Sequence, residues 1–371
     1  MDAATGSERF ETIIVGGGQA GLAVGYHLAG RGRPFLVLES HERVGDSWRH
    51  RWDSLRVFTP ARYNGLPGLR FPAPGWSFPT KDEVGDYLEA YATRFGLPVR
   101  TGVRVDELSR AGDRFVLASG SGTFEADNVV IASGACHTPK VPPFARELRP
   151  NIVQLHSAVY RNAAQLQDGE VLVVGAGNSG AEIALELASS HRTRLSGTPS
   201  GEIPVRHGSH AARALLPVIK FVGHRVLSRR TPIGRKVGPK LVAHGTPLIR
   251  TKMRDLTAVG VELVARVVGV QGGRPLLDDG GVVEVANVVW CTGFRPDFAW
   301  VDLPVFGGDG QPIHDRGIVT PEPGLYFMGL PFQYAVTSDV LPGAGRDAAH
   351  IARHIVARRR SARPDDVPVP A

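Results

Sequence analysis

A glycine fingerprint set between a buried strand and a helix occurs twice in this chain, and few folds accommodate it. The first copy begins at the β-branched run 12–15, the composition of a strand buried on both faces of a parallel sheet. Gly16, Gly18 and Gly21 follow in G-x-G-x-x-G spacing, and Leu22, Ala23, Tyr26, His27 and Leu28 continue at helical period. A second apolar run, 35–38, ends in Glu39, eighteen residues past Gly21. In such a unit the first glycine makes a tight turn, the second lets backbone approach a pyrophosphate, and the third lets helix and strand pack closely. The helix start offers N–H groups and a positive dipole end to phosphates, and an acid at the distance of Glu39 accepts hydrogen bonds from a ribose diol. The second copy runs through 171–174, then Gly175, Gly177 and Gly180, then Ala181, Ile183, Ala184, Leu187 and Ala188 at helical spacing. Two such units predict two bound dinucleotides and electron transfer between them.

The predicted class is α/β, with two Rossmann-like dinucleotide-binding domains of the FAD/NAD(P)-binding fold, the second inserted into the first. Residues 1–145 and 295–371 are assigned to the first domain and 146–294 to the second, and 371 residues suffice for two cores. Residues 1–9 read as a frayed lead-in and 358–371, charged and Pro-rich, as a disordered tail. The crowded aromatic and turn residues of 44–60 read as a structured loop over a ligand, with Gly45 and Ser47 bringing backbone close to it. Thr80-Lys81-Asp82-Glu83 reads as a capping box opening a helix to Tyr91, with Val84, Tyr87, Leu88 and Tyr91 on one face. Residues 99–124 read as a β-meander and 128–131 as a further strand closed by Ala132-Ser133-Gly134. Later strands are expected at 261–268, 282–289 and 324–329, and a helix at 338–353. Ala132-Ser133-Gly134 and Cys291-Thr292-Gly293 are read as matching hinges between the halves.

Cys136 and Cys291 are the only cysteines. They read as small buried residues without a disulfide framework, which fits a cytoplasmic protein. No apolar run reaches the length of a membrane span, and the N-terminus lacks the layout of a signal peptide. The +7 net charge is regional: 206–254 holds twelve Lys or Arg and no Asp or Glu. Leu215, Leu216, Ile219, Val222, Val226 and Leu227 recur there at helical spacing. Three readings stand: a lid over a substrate channel, an amphipathic helix on an anionic membrane surface, or an insertion packed on its domain with a solvated basic face. Nucleic acid is not expected, because no nucleic-acid module accompanies the charge. No His, Cys and Asp cluster has metal-ligand spacing, and oligomeric state leaves no signal.

The chain resembles the flavin-containing monooxygenases, specifically a short bacterial branch similar to the plant YUCCA enzymes. The resemblance covers about 11–355 and rests on Gly16-Gly17-Gly18-Gln19-Ala20-Gly21, Gly45-Asp46-Ser47-Trp48 and Leu66-Pro67-Gly68-Leu69-Arg70-Phe71-Pro72. It rests also on His156-Ser157 with Tyr160, on Gly175-Ala176-Gly177-Asn178-Ser179-Gly180, and on Cys291-Thr292-Gly293-Phe294. Departures exist. Pro150 and Ile152 stand where the family fingerprint before the His has Phe and Gly. Pro60 and Ala61 follow Phe58-Thr59 where the animal branch has Asn, and Asn64 does not align with it.

The resemblance implies FAD in the first unit and NADPH in the second. The expected FAD residues are Gly16, Gly18, Gln19, Gly21, Glu39, Ser47, Trp48, Ala132 and Gly134. The expected NADPH residues are Gly175, Gly177, Asn178, Ser179, Gly180, Arg194, Thr292 and Gly293. The position matching Glu39 in the second unit is Thr198, and the missing acid favours NADPH over NADH. Arg192, Arg194 and Arg206 flank it, either as 2′-phosphate contacts or as a solvated cluster. The implied chemistry reduces the flavin with NADPH and forms a C4a-hydroperoxyflavin with O2. One oxygen atom then passes to a small substrate by N-, S- or carbonyl oxidation. His156 is a candidate for catalysis or for structural hydrogen bonding. The alternatives are an NAD(P)H-dependent flavin reductase serving a protein or quinone acceptor, and a non-catalytic flavin-binding protein.

Overall fold

Runs of β-branched and leucine residues form parallel strands, and the glycine turns between them set where each helix leaves the sheet. The computed structural model describes residues 7–136 and 138–362. The chain opens β1 (Glu8–Val15), α1 (Gln19–Ala29), β2 (Leu36–Leu38), α2 (Asp46–Arg49) and α3 (Lys81–Arg94). Then come β3 (Val99–Arg100), β4 (Val105–Ala111), β5 (Arg114–Ser119) and β6 (Gly122–Ile131). These strands form a seven-stranded sheet in the order β3-β2-β1-β6-β5-β4, with a later strand beside β6. The segment 1–9 is less frayed than expected: Glu8 and Arg9 already pair with Phe124 and Glu125, and 1–6 lie outside the described residues.

The strand expected at 128–131 is the end of the ten-residue β6. Its first half pairs antiparallel with β5 and its second half parallel with β16 (Leu325–Phe327). One strand thus serves both meander and parallel core. Val99 and Arg100 are not part of the meander; they pair parallel with β2. The capping box is present, with Thr80 Oγ1 accepting from Glu83 N at 3.2 Å and Thr80 N donating to Glu83 Oε2 at 2.7 Å. Within the expected loop 44–60, α2 is a short helix. The Gly45 backbone (φ 92°) packs on Gly85 of α3, so this glycine serves helix packing.

The second sheet is built from β8 (Val153–His156), β9 (Val171–Val174), β10 (Thr193–Ser196), β11 (Glu262–Val264) and β14 (Asn287–Trp290), in the order β11-β10-β9-β14-β8, all parallel. Its helix α4 (Asn178–Leu187) follows the second glycine turn. The strand expected at 261–268 is divided between β11 and β12 (Val267–Gln271), and β12 pairs with β13 (Arg274–Leu277) as a separate hairpin. Ser196 breaks it: its hydroxyl donates to Ala265 O at 2.8 Å and accepts from Val267 N at 3.0 Å, replacing ladder partners. Of the expected strand 282–289 only 287–289 lies in a strand, β14, which runs on to Trp290. The linkers are joined by a ribbon of β7 (Thr138–Pro139) and β15 (Phe294–Arg295).

The last helix, α8 (Leu341–Ala362), starts three residues late because Ser338 Oγ accepts from Tyr334 N and Ala335 N, closing a turn rather than a helix. It runs into the expected tail, so 358–362 are helical; 363–371 lie outside the described residues. α8 packs on α1, and with α3 they bury Leu22, Val24, Leu88, Tyr91, Ala348 and Ile351 against one face of the first sheet. The basic segment forms α5 (His210–Phe221), a wider turn over 222–226, and α6 (Pro232–His244), ahead of α7 (Met253–Ala258). No described helix is long and apolar enough to cross a membrane. Cys136 is exposed, against the expectation of burial.

Candidate functional site

Each sheet reverses its strand order beside the strand that enters its glycine turn, β1 against β6 and β9 against β14. Ligands of such sheets bind in the crevice at the carboxyl ends there. The two crevices are built alike. Gly16 has φ 111° and Gly175 φ 113°. A Cβ on Gly16 would lie 2.5 Å from Ala132 O, and one on Gly175 would overlap Cys291 O. Gly21 and Gly180 sit against the carbonyls of Gly16 and Gly175, too close for any side chain. By contrast, a Cβ on Gly18 or Gly177 would meet nothing within 4 Å. These glycines front open space at helix starts that carry no side-chain cap among the described residues, which leaves the first N–H groups of α1 and α4 available to their crevices. That geometry fits a pyrophosphate in each.

Glu39 stands at the end of β2 and is buried. Its Oε2 accepts from Gly17 N at 2.6 Å, and its Oε1 accepts from His41 N at 2.9 Å and meets His41 Nδ1 at 2.6 Å. Burial alone would raise this carboxyl, yet the hydrogen bonds from His41 and Gly17 offset it and hold the pKa below the usual value. The same contact raises His41 above the ordinary histidine value. Glu39 thus braces the glycine turn while retaining acceptor capacity for a ribose hydroxyl. His41 was not singled out in the sequence; its position two residues after the acid was the available signal. Gln19 and Trp48 also converge, Trp48 Nε1 donating to Gln19 Oε1 at 3.2 Å, while Ser47 is exposed.

In the second unit two expected residues have other partners. Asn178 Nδ2 donates to Pro247 O at 3.1 Å and its Oδ1 accepts from Ile249 N at 3.0 Å, so its side chain ties segment 246–249 to the start of α4. Arg194 ion-pairs with Glu170 at 3.0 Å and Glu262 at 2.9 Å. Glu170 precedes β9 and Glu262 opens β11, so this guanidinium lies toward the amino ends of the strands, away from the crevice. This corrects the expectation that Arg194 contacts the nucleotide. Arg250, one residue past the segment Asn178 holds, pairs with buried Glu182 of α4 at 3.4 Å, and its Nη1 is buried with no hydrogen-bond partner among the described residues. Glu182 is pushed up to about 7 by burial, against the pull of Arg250.

Gly134 (φ 87°) and Gly293 (φ 80°) end the two segments expected to act as hinges, and an added Cβ would meet nothing within 4 Å at either. Thr292 Oγ1 donates to Lys140 O, and Gly293 O accepts from Lys140 N at 2.9 Å. His156, at the end of β8, joins this knot. Its Nε2 donates to Gly293 O at 3.1 Å and its Nδ1 accepts from Ala158 N at 3.1 Å. Those partners fix one neutral tautomer, and burial lowers its pKa, helped by Arg51. These bonds tie the end of β8 to Gly293 through the His156 ring. Tyr160 hydrogen-bonds Glu186 at 2.8 Å. Trp52, from the first half of the chain, is buried in the core of the second sheet beside Tyr160 and Leu256. The basic segment reaches the other way: His207 stacks on Phe78 at 3.8 Å and its Nε2 meets Phe58 O at 2.9 Å. His224 bonds Pro342 O and Thr337.

Comparison with known proteins adds identity to this geometry. A family profile described as pyridine nucleotide-disulphide oxidoreductase matches residues 13–201. The chain is 36% identical to an uncharacterized CzcO-like oxidoreductase of Geobacillus kaustophilus, over 93% of this chain and 98% of the relative. It is 29% identical to the indole-3-pyruvate monooxygenase YUCCA1 of Oryza sativa subsp. japonica, over 96% and 95% of the two chains. The solved flavin-containing monooxygenase of Stenotrophomonas maltophilia is similar at 25% identity and TM-score 0.77, covering 95% of this chain and 99% of that one.

Proposed function

The chain belongs to the pyridine nucleotide-disulphide oxidoreductase family, as one of its flavin-dependent monooxygenases, and we propose that its two crevices hold FAD and NADPH. One oxygen atom of O2 enters a small organic substrate by N-, S- or carbonyl oxidation. The observation that carries this reading is the matched pair of glycine turns, each open at its middle glycine and closed at the other two.

The proposed division gives the FAD unit residues 1–145 and 295–371 and the NADPH unit 146–294. Gly16, Gly18 and Gly21 seat the FAD pyrophosphate at α1, and Glu39 takes the ribose. Gln19, Ser47, Trp48, Ala132 and Gly134 border the crevice. Gly175, Gly177, Ser179, Gly180 and the backbone of Asn178 seat the NADPH pyrophosphate at α4, with Thr292 and Gly293 at its hinge. Arg250 supplies the guanidinium for the nucleotide phosphates. When bound, the flavin supplies the redox and oxygen chemistry. The chain orients the two nucleotides, keeps the hinge in register through neutral His156, and excludes water.

The basic segment crosses from the second unit onto loop 58–78 and the start of α8, as a lid would. On α5 the outward positions Ala211, Ala214, Val218 and Phe221 form an exposed apolar stripe, with Val218 55% and Phe221 61% exposed. Exposed Arg225, Arg235 and Lys236 follow, and no acid occurs in 203–254. We assign this stripe to peripheral contact of a cytoplasmic enzyme with an anionic lipid surface.

Stopped-flow spectroscopy tests the activity. The purified protein is reduced anaerobically with NADPH, in parallel with NADH, then mixed with oxygenated buffer. A long-lived near-ultraviolet species before oxidised flavin returns is expected. Immediate reoxidation with peroxide release, unchanged by candidate substrates, would assign a reductase instead.

A further inference from the structure

A concavity of about 830 Å³ opens between loop 62–75, α5 and the start of α8. Three cations line it, Arg62, Arg70 and Lys220, together with Tyr63, Leu69 and Phe71, and no carboxylate is among its lining residues. The absence has a sequence basis. Neither 54–81 nor 203–254, which supply all three cations, contains Asp or Glu. Elsewhere on this molecule clustered arginines meet acids, as Arg49 meets Asp46, Asp86 and Glu89.

Two of these cations, Arg62 and Lys220, rest on aromatic faces instead. Lys220 Nζ lies 4.7 Å from the Tyr63 ring centre, and the Arg62 guanidinium lies 4.7 Å from the Trp76 ring. Tyr63 and Trp76 meet edge to face at 6.3 Å, and Arg213 approaches Trp76 at 5.7 Å. Aromatic faces attract cations without occupying their N–H donors, so the donors stay available to a ligand. Lys220 is half-buried, and burial together with Arg62 lowers its pKa. An anion in the concavity would relieve this repulsion and accept charge-assisted hydrogen bonds.

We propose that this concavity binds a small organic anion, its carboxylate or phosphate held by Arg62, Arg70 and Lys220 and its apolar part set against Tyr63, Leu69 and Phe71. Binding bridges α5 of the basic segment to loop 62–75. The proposal does not depend on the oxygenase reading, because binding is measured without turnover.

Isothermal titration of the full-length flavoprotein with benzoate, its uncharged isostere benzamide, and inorganic phosphate tests it. Trp76 fluorescence gives a second readout at the same wall. Saturable benzoate binding at least about tenfold tighter than benzamide is expected. Lys220→Met and, separately, Arg70→Gln should each weaken it by about tenfold. Benzoate bound in preference to phosphate identifies a carboxylate ligand; phosphate bound in preference identifies a phosphorylated one. Equal affinity for benzoate and benzamide overturns the proposal. So does failure of both anions to saturate up to about 10 mM, or wild-type affinity in both variants.

Discussion

Replacing Gly180 with alanine separates the two crevices. The new methyl would overlap Gly175 O and approach Cys291 Cβ at 3.3 Å. Gly175 O is backbone in a turn pinned by Gly175 N–H donating to Ser196 O at 2.9 Å, so α4 must give way, by at least about 1 Å in a close-packed interior. Overpacking of this kind costs about 1–3 kcal/mol in stability. The N–H groups at the start of α4 move with the helix. Each hydrogen bond they make to a phosphate oxygen is worth about 1.5–3 kcal/mol, so losing one raises the NADPH Kd by about 10- to 100-fold. FAD occupancy should stay near that of the wild type, because Gly16, Gly18 and Gly21 lie in the other sheet. Gly21→Ala is the mirror experiment and should lower flavin content first. The assay is the flavin-to-protein absorbance ratio of each purified variant, then anaerobic flavin reduction against NADPH concentration. Reduction of Gly180→Ala with the wild-type NADPH Kd would refute the reasoning, as would loss of its flavin while Gly21→Ala keeps its own.

Four further outcomes are expected. Arg250→Met should raise the NADPH Kd about tenfold or more, whereas Arg194→Ala, whose guanidinium is held by Glu170 and Glu262, should leave the NADPH-to-NADH preference within about threefold; reduction kinetics with both nucleotides decide. His41 has a raised pKa through Glu39, so its contribution to stability is complete below the ordinary value near 6.5 and is lost as pH rises through the raised one; thermal melts against pH should show that loss, and His41→Ala should remove it. His156 has a lowered pKa, so its contribution is present above about 6.5 and declines as pH falls towards the folded value; His156→Ala should cost about 1–3 kcal/mol without adding or removing an inflection in the oxygenation rate near neutrality. Wild-type protein should sediment with phosphatidylserine-containing vesicles and less with neutral ones, and Phe221→Ser should weaken that binding by about tenfold.

The parts of this molecule legible in its sequence are those governed by local rules. Both glycine turns, the acid at Glu39 and the capping box at Thr80 obey short-range constraints: a positive φ, a close backbone approach, a reciprocal pair of hydrogen bonds. The structure places each where its spacing requires. The expectations that failed depend on groups distant in sequence. Ser196 divides the strand expected at 261–268 by binding Ala265 and Val267 with its hydroxyl, and no periodicity in 261–268 carries that information. Gly45 looked like backbone approaching a cofactor, but Gly85, forty residues on, explains it. Arg194 has the right residue type near the right strand end, and only its pairing with Glu170 and Glu262 shows that it faces the amino ends of the strands.

The basic segment joins these two kinds of information. Its charge and helical period are visible in sequence, but period alone does not separate lid, membrane helix and packed insertion. Tertiary contacts separate the faces of α5. Arg213 and Lys220 turn towards the aromatic wall of loop 62–76, while Ala214, Val218 and Phe221 face outward. His207 and His224 fasten the segment to Phe58, Thr337 and Pro342. Both histidines have lowered pKa values, chiefly through burial, so they hold these contacts as neutral rings at and above neutral pH. The two proposals therefore use different faces of the same acid-free stretch: its inner cations, with no carboxylate partner among the described residues, would serve the proposed anion, and its outer stripe the proposed lipid contact. A carboxylate introduced at Val218 should weaken vesicle binding and spare benzoate, whereas Lys220→Met should do the reverse; a single variant abolishing both with α5 intact would show that the faces are not independent.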